Sequence, residues 1–135
     1  SLLVRGIEKD LLPAAQAYGL GLLPYFPLAN GLLTGKYGGD ETAPLQGTRL
    51  AMVDKLRDGY FTAKNLAVVA KLKTFAAARG RSLLELAFSW LAGRPQVASV
   101  IAGASSPAQV EQNVKAVSWQ LSAEDIAEID RITQT

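Results

Sequence analysis

The sequence predicts an α/β fold in which parallel strands alternate with helices. Two short apolar runs, residues 20–25 and 98–101, have the length and composition of buried parallel strands. Segments with helical apolar periodicity lie before, between and after these runs. Such alternation is typical of a parallel sheet covered by helices. No Pro- or Ser-rich linker and no internal repeat divides residues 1–135, so we interpret the chain as one domain-like piece.

One strand end, one helix and one strand are expected in the first part of the chain. Residues 1–4 read as the tail of a strand, because the sequence opens within an apolar run. Residues 8–18 are expected to form a helix, with apolar side chains on one face and Gly19 directly after it. The run at residues 20–25 is then the next strand.

A long loop is expected to follow that strand. Residues 26–60 contain many Gly and polar residues, and an irregular segment of this length inside a compact domain is usually functional or mobile. One helical turn is expected within it, at residues 28–33.

Four helices, each opened by a Ser or Thr that caps its N-terminus, are expected in the remainder of the chain. The helix after Ser82 is apolar nearly all round and should be well buried, whereas the helix after Ser106 begins with Pro107. On the latter helix, three valines are expected to face the core, opposite three polar amides. The caps are Thr62, Ser82, Ser106 and Ser122, the valines are Val110, Val114 and Val117, and the amides are Gln109, Gln112 and Asn113.

Composition excludes several classes of function. The 135 residues include no His and no Cys, which excludes zinc sites built on those residues, Ser-His-Asp triads and thiolate nucleophiles. Any general acid or base must be a carboxylate, a Lys or a Tyr. The net charge of +2 is spread along the chain, and no apolar run approaches the roughly 20 residues that span a bilayer. We therefore expect no metal, nucleic-acid or membrane binding, and the lack of Cys favours the cytoplasm.

The turn at residues 101–107 has the properties of an anion-binding site. It joins an apolar run to a helix N-terminus, whose unpaired N–H groups and partial positive charge attract anions. Gly103 permits a close approach of the backbone to a ligand, and Ser105 adds a hydroxyl. The alternative, a well-capped surface helix with a solvated polar face, is the more common arrangement and stays open.

The turn at residues 25–31 is similar in kind. Tyr25 stands at the end of an apolar run, where its ring can stack on a flat ligand while the backbone amides that follow meet a phosphate. Lys36 and Arg49, later in the loop, can supply cations. The alternative is that Tyr25 belongs to the core and that both cations are solvated or paired at the surface.

Two multi-residue motifs resemble the aldo-keto reductase family. Residues 11–13, LLP, and residues 24–37, PYFPLANGLLTGKY, resemble the family's segment around barrel strand seven. Residues 99–113, SVIAGASSPAQVEQN, resemble its strand-eight signature. The resemblance implies that residues 1–135 are the C-terminal portion of a (β/α)₈ barrel, from the end of strand six through the C-terminal helix. It favours the longer-loop branch, which includes bacterial reductases and potassium-channel β subunits.

The resemblance also implies a nicotinamide-dinucleotide site and a role for each candidate residue. Tyr25 would stack on the nicotinamide ring, and Ser105 and Gln109 would lie near the 2′-phosphate of NADP. Along the pyrophosphate the resemblance places Phe26, Leu28, Asn30, Lys36 and Arg49. At the adenosine end it places Gly103, Ser105, Gln109, Gln112 and Asn113.

NADP is the cofactor that the resemblance implies, but NAD stays open. Many relatives carry an Arg where this chain has Ala104 or Gln109. Three further positions, Phe26, Ala102 and Gln112, depart from the Ser, Pro and Glu that are usual in the family. The Phe at position 26 removes one hydroxyl that would contact the pyrophosphate.

The implied activity is reduction of a small aldehyde or ketone by NAD(P)H. The family's catalytic Asp, Tyr, Lys and His belong to the first half of the barrel and have no counterpart here, so this chain alone is expected to be inactive. One alternative is a nucleotide-binding regulatory module of the channel-subunit type, without turnover. Another is a fragment without activity. In each case an open strand edge at residues 20–25 predicts self-association.

Overall fold

The computed structural model describes residues 1–38 and 40–134; Gly39, within the expected loop, and Thr135 lie outside the described residues. Seven α-helices and two 3₁₀ helices occur in the described part of the chain. The helices are α1 Leu11–Ala17, α2 Arg49–Met52, α3 Asp54–Tyr60, α4 Ala63–Ala77, α5 Leu83–Ala92, α6 Pro107–Lys115 and α7 Ala123–Thr133. The 3₁₀ helices are Gly6–Glu8 and Ala29–Thr34.

The expected strands are reduced, within the described residues, to one parallel bridge between Leu22 and Val97. The Leu22 N–H donates to the carbonyl of Gln96 at 2.7 Å, and the Ala98 N–H donates to the carbonyl of Leu22 at 2.9 Å. The two apolar runs therefore lie side by side and parallel, as predicted, but they form no continuous ladder. A parallel strand is stable when neighbours on both sides and helices on both faces cover it, and two short strands alone are marginal.

The expected strand tail at the start of the chain is wrong. Residues 1–4 form a turn in which the Val4 N–H donates to the Ser1 carbonyl at 3.1 Å. Leu2 is nevertheless buried, so the apolar character of this segment serves the core. The following helix is confirmed in shortened form as α1, and Gly19 ends it with a φ of 63°.

The long loop is more ordered than its composition suggested. The helical turn expected at residues 28–33 is found in the second 3₁₀ segment, which a kink with non-helical backbone at Asn30 and Gly31 interrupts. Helices α2 and α3 were not expected. Tyr37 and Leu50 are fully buried, and the Tyr37 hydroxyl lies 3.3 Å from that of Thr48. These apolar anchors attach the loop to the core and offset the conformational entropy lost by its glycines.

The four caps predicted in the remainder of the chain are confirmed. Thr62 accepts from the backbone of Asn65, and Ser106 accepts from that of Gln109, with Pro107 at the first helical position. Ser82 and Ser122 both form capping boxes, with Glu85 and Asp125 respectively. Each box satisfies two N–H groups that a helix start leaves unpaired.

The core lies among α4, α5, α7 and the second 3₁₀ helix. Leu32, Leu72, Leu86 and Ile129 are each fully buried there. The helix α5 is buried along nearly its whole length, as its all-round apolar sequence predicted. None of the helices in the described residues is long and apolar enough to cross a bilayer.

The prediction that the α6 valines face the core is wrong. Val110, Val114 and Val117 are 52%, 68% and 47% exposed. The residues of α6 itself are not buried, and the chain packs on this helix mainly through Ala116, just after its end. The apolar stripe of α6 is therefore present, but it is exposed in the described part of the chain.

Candidate functional site

The two turns singled out from the sequence meet at one open cleft of about 570 Å³. One wall is the segment that runs from the first apolar run into the second 3₁₀ helix. The other is the turn before α6. The cleft is lined by Tyr25, Phe26, Pro27, Leu28, Asn30, Gly31, Thr34, Lys36, Arg49, Ile101, Ala102, Gly103, Ala104, Ser105 and Gln109.

The first wall contains a cluster of left-handed backbone conformations. Phe26, Ala29 and Asn30 have φ values of 54°, 47° and 56°, although none is glycine. Such conformations cost about 1 kcal/mol or more each and persist where the surroundings hold them. Here Ala29 is fully buried, and the Thr34 hydroxyl donates to the Gly31 carbonyl at 2.7 Å. Strained backbone of this kind is typical of ligand sites.

The side-chain amide of Asn30 is buried without a partner in the wall of the cleft. Neither its Oδ1 nor its Nδ2 forms a hydrogen bond with the described residues. A buried polar group left unpaired costs about 1–3 kcal/mol. An amide with both a donor and an acceptor unused is therefore suited to a polar ligand in the cleft.

Two cations lie on the same wall. The Lys36 ammonium lies over Gly31, since a Cβ added to that glycine would be 3.4 Å from Nζ. The Arg49 guanidinium lies 5.7 Å from the centroid of the Phe26 ring. Among the described residues neither cation forms an ion pair, and the cleft has no acidic lining residue. This wall is therefore electropositive and suited to phosphate groups.

Tyr25 presents an aromatic surface at the mouth of the cleft. Its side chain is 75% exposed, and its ring centroid lies 4.8 Å from that of Phe26 at a tilt of 58°. The interpretation of Tyr25 as a core residue is excluded by this exposure. An exposed ring held from one side by another ring can stack on a planar ligand with its other face.

The second wall is the capped start of α6. The Gln109 carboxamide oxygen accepts from the Ser105 N–H at 2.8 Å and from the Ser105 hydroxyl at 3.1 Å. The Gln109 N–H donates to the Ser106 hydroxyl at 3.3 Å. Gly103 leaves the adjacent backbone uncovered, because an added Cβ would meet no atom within 4 Å. This wall is uncharged and already rich in internal hydrogen bonds.

Nine of the eleven candidate residues line the cleft, and Gln112 and Asn113 do not. Gln112 lies in another hollow between α5 and α6, beside Glu85 and Lys115, and Asn113 is half-buried. Their assignment to a ligand stays a prediction. Thr34 lines the cleft and was missed, because its role in closing the turn on Gly31 has no signature in the sequence. No metal-binding group of three acidic side chains occurs among the described residues.

Comparisons with known proteins indicate one family. A model of the Aldo/keto reductase family matches residues 1–134. A probable voltage-gated potassium channel subunit beta from Oryza sativa is 35% identical, over 96% of this chain and 40% of the relative. An L-glyceraldehyde 3-phosphate reductase from Escherichia coli O157:H7 is 37% identical, over 97% of this chain and 39% of the relative. A glycerol dehydrogenase from Gluconobacter oxydans of known structure has 35% identity and a TM-score of 0.76, over 97% of this chain and 39% of its own.

These matches establish the fold and the family, and they cover only part of each relative. The chain spans 40% of the rice protein and 39% of each bacterial protein. At a TM-score of 0.76, it shares the fold of the corresponding part of the dehydrogenase.

Proposed function

The chain belongs to the aldo/keto reductase family, and we propose that it forms the cofactor-binding part of an NAD(P)H-dependent oxidoreductase that reduces aldehydes and ketones to alcohols. The observation that carries this proposal is the cleft itself. It combines two cations and a buried amide, none of them paired within the described residues, with an exposed aromatic ring. A nicotinamide dinucleotide has a diphosphate, several polar sugar groups and two flat rings.

The residues present fit such a dinucleotide. Lys36 and Arg49 would bind the diphosphate, and the Asn30 amide would bond to a neighbouring polar group of the ligand. Tyr25 would support a flat ring at the mouth of the cleft. NADP, which the resemblance implies, and NAD share every group that these contacts require.

We propose that residues 1–135 are the C-terminal portion of a (β/α)₈ barrel. The parallel bridge between Leu22 and Val97 supports this, since neighbouring strands of such a barrel are parallel. Each apolar run leads into one wall of the cleft, which agrees with the rule that barrel enzymes carry their sites where strands end. The exposed valines of α6 have the pattern of a surface covered in a complete barrel.

In this proposal the chain holds and orients the cofactor, whose nicotinamide supplies the hydride when bound. The general acid that protonates the carbonyl oxygen would belong to the remainder of the enzyme, because no residue of this chain matches the family's catalytic set. The chain alone is expected to bind the dinucleotide without reducing carbonyls. A cytoplasmic location remains part of the proposal.

A binding measurement on the chain tests the first half of this proposal. NADH and NADPH are titrated into the wild type and into the variants Lys36→Ala and Arg49→Ala, with calorimetry as the readout. We expect each variant to bind about ten-fold more weakly, which is the weight of one charge-assisted contact. Lys64→Ala removes an exposed cation of α4 outside the cleft and should bind as the wild type does. Failure of the wild type to bind either dinucleotide would contradict the proposal.

A specific observation also favours the regulatory alternative. The rice channel subunit matches this chain over a similar extent and at a similar identity to the bacterial reductase. A chimera in which the rest of the E. coli reductase precedes this chain separates the two functions. Consumption of NAD(P)H with a reactive aldehyde supports the reductase. A folded chimera that binds the dinucleotide without turnover supports a nucleotide-binding module.

A further inference from the structure

A separate hollow of about 310 Å³ lies at the C-terminal end of α5. We call it the Trp90 hollow, and it shares no lining residue with the cleft. Ser89 fixes its shape, because the hydroxyl donates to the Ala116 carbonyl at 3.1 Å and accepts from the Trp119 N–H at 3.2 Å. Since this buried serine ties the segment after α6 to α5, the Trp90 hollow is a packed part of the fold.

Two side chains of the Trp90 hollow have hydrogen-bond donors without a partner among the described residues. Trp90 is 5% exposed, and its indole N–H is unpaired. The Arg94 guanidinium lies 4.4 Å from the centroid of the Trp90 ring, and its buried Nη2 is also without a hydrogen bond. Glu8 lies 3.7 Å from that nitrogen, but its carboxylate already accepts two bonds from Arg5, at 2.9 Å and 2.7 Å. Buried donors of this kind are suited to an acceptor that a ligand supplies.

The volume of the Trp90 hollow suits a small ligand. At about 310 Å³ it lies at the lower end of the range of small-molecule sites, which is about 300–1,000 Å³. Trp90 and Arg94 also line a hollow of about 40 Å³ beside Glu8, which has room for water but not for a ligand of that size. A ligand that accepts from these donors would therefore occupy the larger hollow.

The chemistry of the wall favours a carboxylate with an apolar body. Of the described residues that line the Trp90 hollow, Arg94 is the only cation and none is an acid. A guanidinium stacked on a ring directs its N–H groups in its own plane, where a planar carboxylate can accept two of them. Much of the remaining wall is apolar, with Trp119, Leu121 and Ile126. One cation in such surroundings matches a single negative charge better than the charge of about −2 on a phosphate group.

We propose that the Trp90 hollow binds a small monocarboxylate with an apolar body, at a site separate from the cofactor cleft. Arg94 would hold the carboxylate, and the indole N–H of Trp90 would donate to one of its oxygens. The apolar body would cover Leu121 and Ile126. The inference does not depend on the proposed function, because the two sites have no residue in common.

Titration of the chain with cyclohexanecarboxylate at constant ionic strength tests the proposal. Both tryptophans of the chain line the Trp90 hollow, so their fluorescence reports on its occupancy. We expect a saturable change in that fluorescence. Cyclohexanecarboxamide has the same apolar body without the charge and should bind at least about ten-fold more weakly.

A first pair of variants tests the cation. Arg94→Gln removes the charge from the Trp90 hollow and should weaken binding of cyclohexanecarboxylate about ten-fold, which is the weight of a charge-assisted contact. Arg131→Gln makes the same change at an exposed position of α7 outside the hollow and should bind as the wild type does.

A second pair leaves Trp90 and Arg94 in place. Val117 lines the Trp90 hollow but not the smaller one, and Val114 lines neither. The two valines are 47% and 68% exposed, so an aspartate at either position should leave the chain folded, which circular dichroism checks. Val117→Asp places a like charge beside the carboxylate and should weaken binding about ten-fold, whereas Val114→Asp should have little effect.

Every outcome decides the matter. Binding that is lost in Arg94→Gln and Val117→Asp and kept in both controls supports the proposal. The proposal is overturned if the wild type shows no saturable change, or if the carboxamide binds as tightly as the carboxylate. It is also overturned if the control variants weaken binding as much as their partners do, since general charge attraction would then account for the effect.

Discussion

The helical layer of α4, α5 and α7 and the two apolar runs are both built from apolar residues, but only the helical layer buries them. Leu72 and Leu86 are fully enclosed between helices, whereas Leu20, Leu23 and Ile101 are 59%, 58% and 54% exposed. A helix pairs its backbone groups within itself and needs only one face covered, whereas a parallel strand needs neighbours on both edges. Within the described residues the helices therefore cover one another, whereas the two apolar runs stay largely uncovered.

Charged side chains reinforce the helical layer from outside. The Arg79 guanidinium lies 3.6 Å from the centroid of the Phe75 ring on α4. It also bonds to Asp125 at 2.7 Å and to Glu128 at 3.0 Å, both on α7. This arrangement joins α7 to α4 across the edge of the core. The apolar runs, by comparison, are joined by a single bridge.

Truncation of a core leucine should lower the free energy of unfolding far more than truncation of a leucine in the apolar runs. Leu72→Ala removes a fully buried side chain from α4 and should lower the free energy of unfolding by about 2–5 kcal/mol. Leu20→Ala removes the same group from an exposed position and should change it by less than about 0.5 kcal/mol. Urea denaturation followed by circular dichroism measures both. Equal losses in the two variants would show that the apolar run is packed as firmly as the helices.

The helices could be predicted because their signals are local. Thr62, Ser82, Ser106 and Ser122 each begin a helix in the structure, and the capping boxes at Ser82 and Ser122 formed. The strands could not be predicted with the same success, because a strand depends on neighbours distant in the sequence. The loop helices α2 and α3 were missed because the glycines of this segment predict irregular backbone, whereas the burial of Leu50 arises from tertiary packing.

The sequence predicts which residues line the cleft better than it predicts their backbone conformations and hydrogen bonds. Both turns were identified, but the orphaned amide of Asn30 and the positive φ values of Phe26 and Ala29 arise from tertiary packing. The hydrogen bond from the Ser105 N–H to the Gln109 carboxamide oxygen likewise has no signature in the sequence. The periodicity of the α6 valines predicted an apolar stripe correctly, but periodicity does not say whether the chain covers that stripe.

The exposed side chains of the apolar runs should cause the chain to self-associate. Contiguous exposed apolar surface and unpaired strand edges are both association sites. Leu23→Lys should weaken association about ten-fold, since it places a charge where apolar surface would be buried. Met52→Lys introduces the same charge at an exposed position of α2 and should have little effect. Light scattering across a concentration series checks this, and a monodisperse wild-type monomer at high concentration would refute it.

The unpaired side-chain amide of Asn30 should lower the free energy of unfolding of the chain without ligand. Asn30→Gly removes the unpaired amide and relieves the left-handed conformation, so it should stabilise the free chain by about 1 kcal/mol. Ala29→Gly relieves a similar φ without removing an amide and should stabilise less. The same Asn30 variant should bind NADH more weakly. Thermal unfolding and calorimetry measure the two effects, and a destabilised Asn30→Gly chain would show that the amide is satisfied.

The smallest expected effect is an acid-dependent loss of stability in the helical layer. The Ser82 N–H, bonded to the Glu85 carboxylate, lowers the pKa of Glu85 against the opposing effect of burial. Burial raises the pKa of Asp125, but the Ser122 N–H and the Arg79 guanidinium outweigh it and lower the pKa overall.

Because both folded-state pKa values lie below their unfolded values, the stability that these carboxylates contribute is present above about pH 4. It is lost as the pH falls through the folded values, and it should amount to about 0.5 kcal/mol for each exposed pair after solvent screening. Glu85→Gln combined with Asp125→Asn should therefore reduce the difference in Tm between pH 6 and pH 3. Asp10→Asn, at an N-cap without a side-chain hydrogen bond, should leave that difference as in the wild type. If the double variant loses as much Tm on acidification as the wild type does, the acid sensitivity comes from carboxylates other than these two caps.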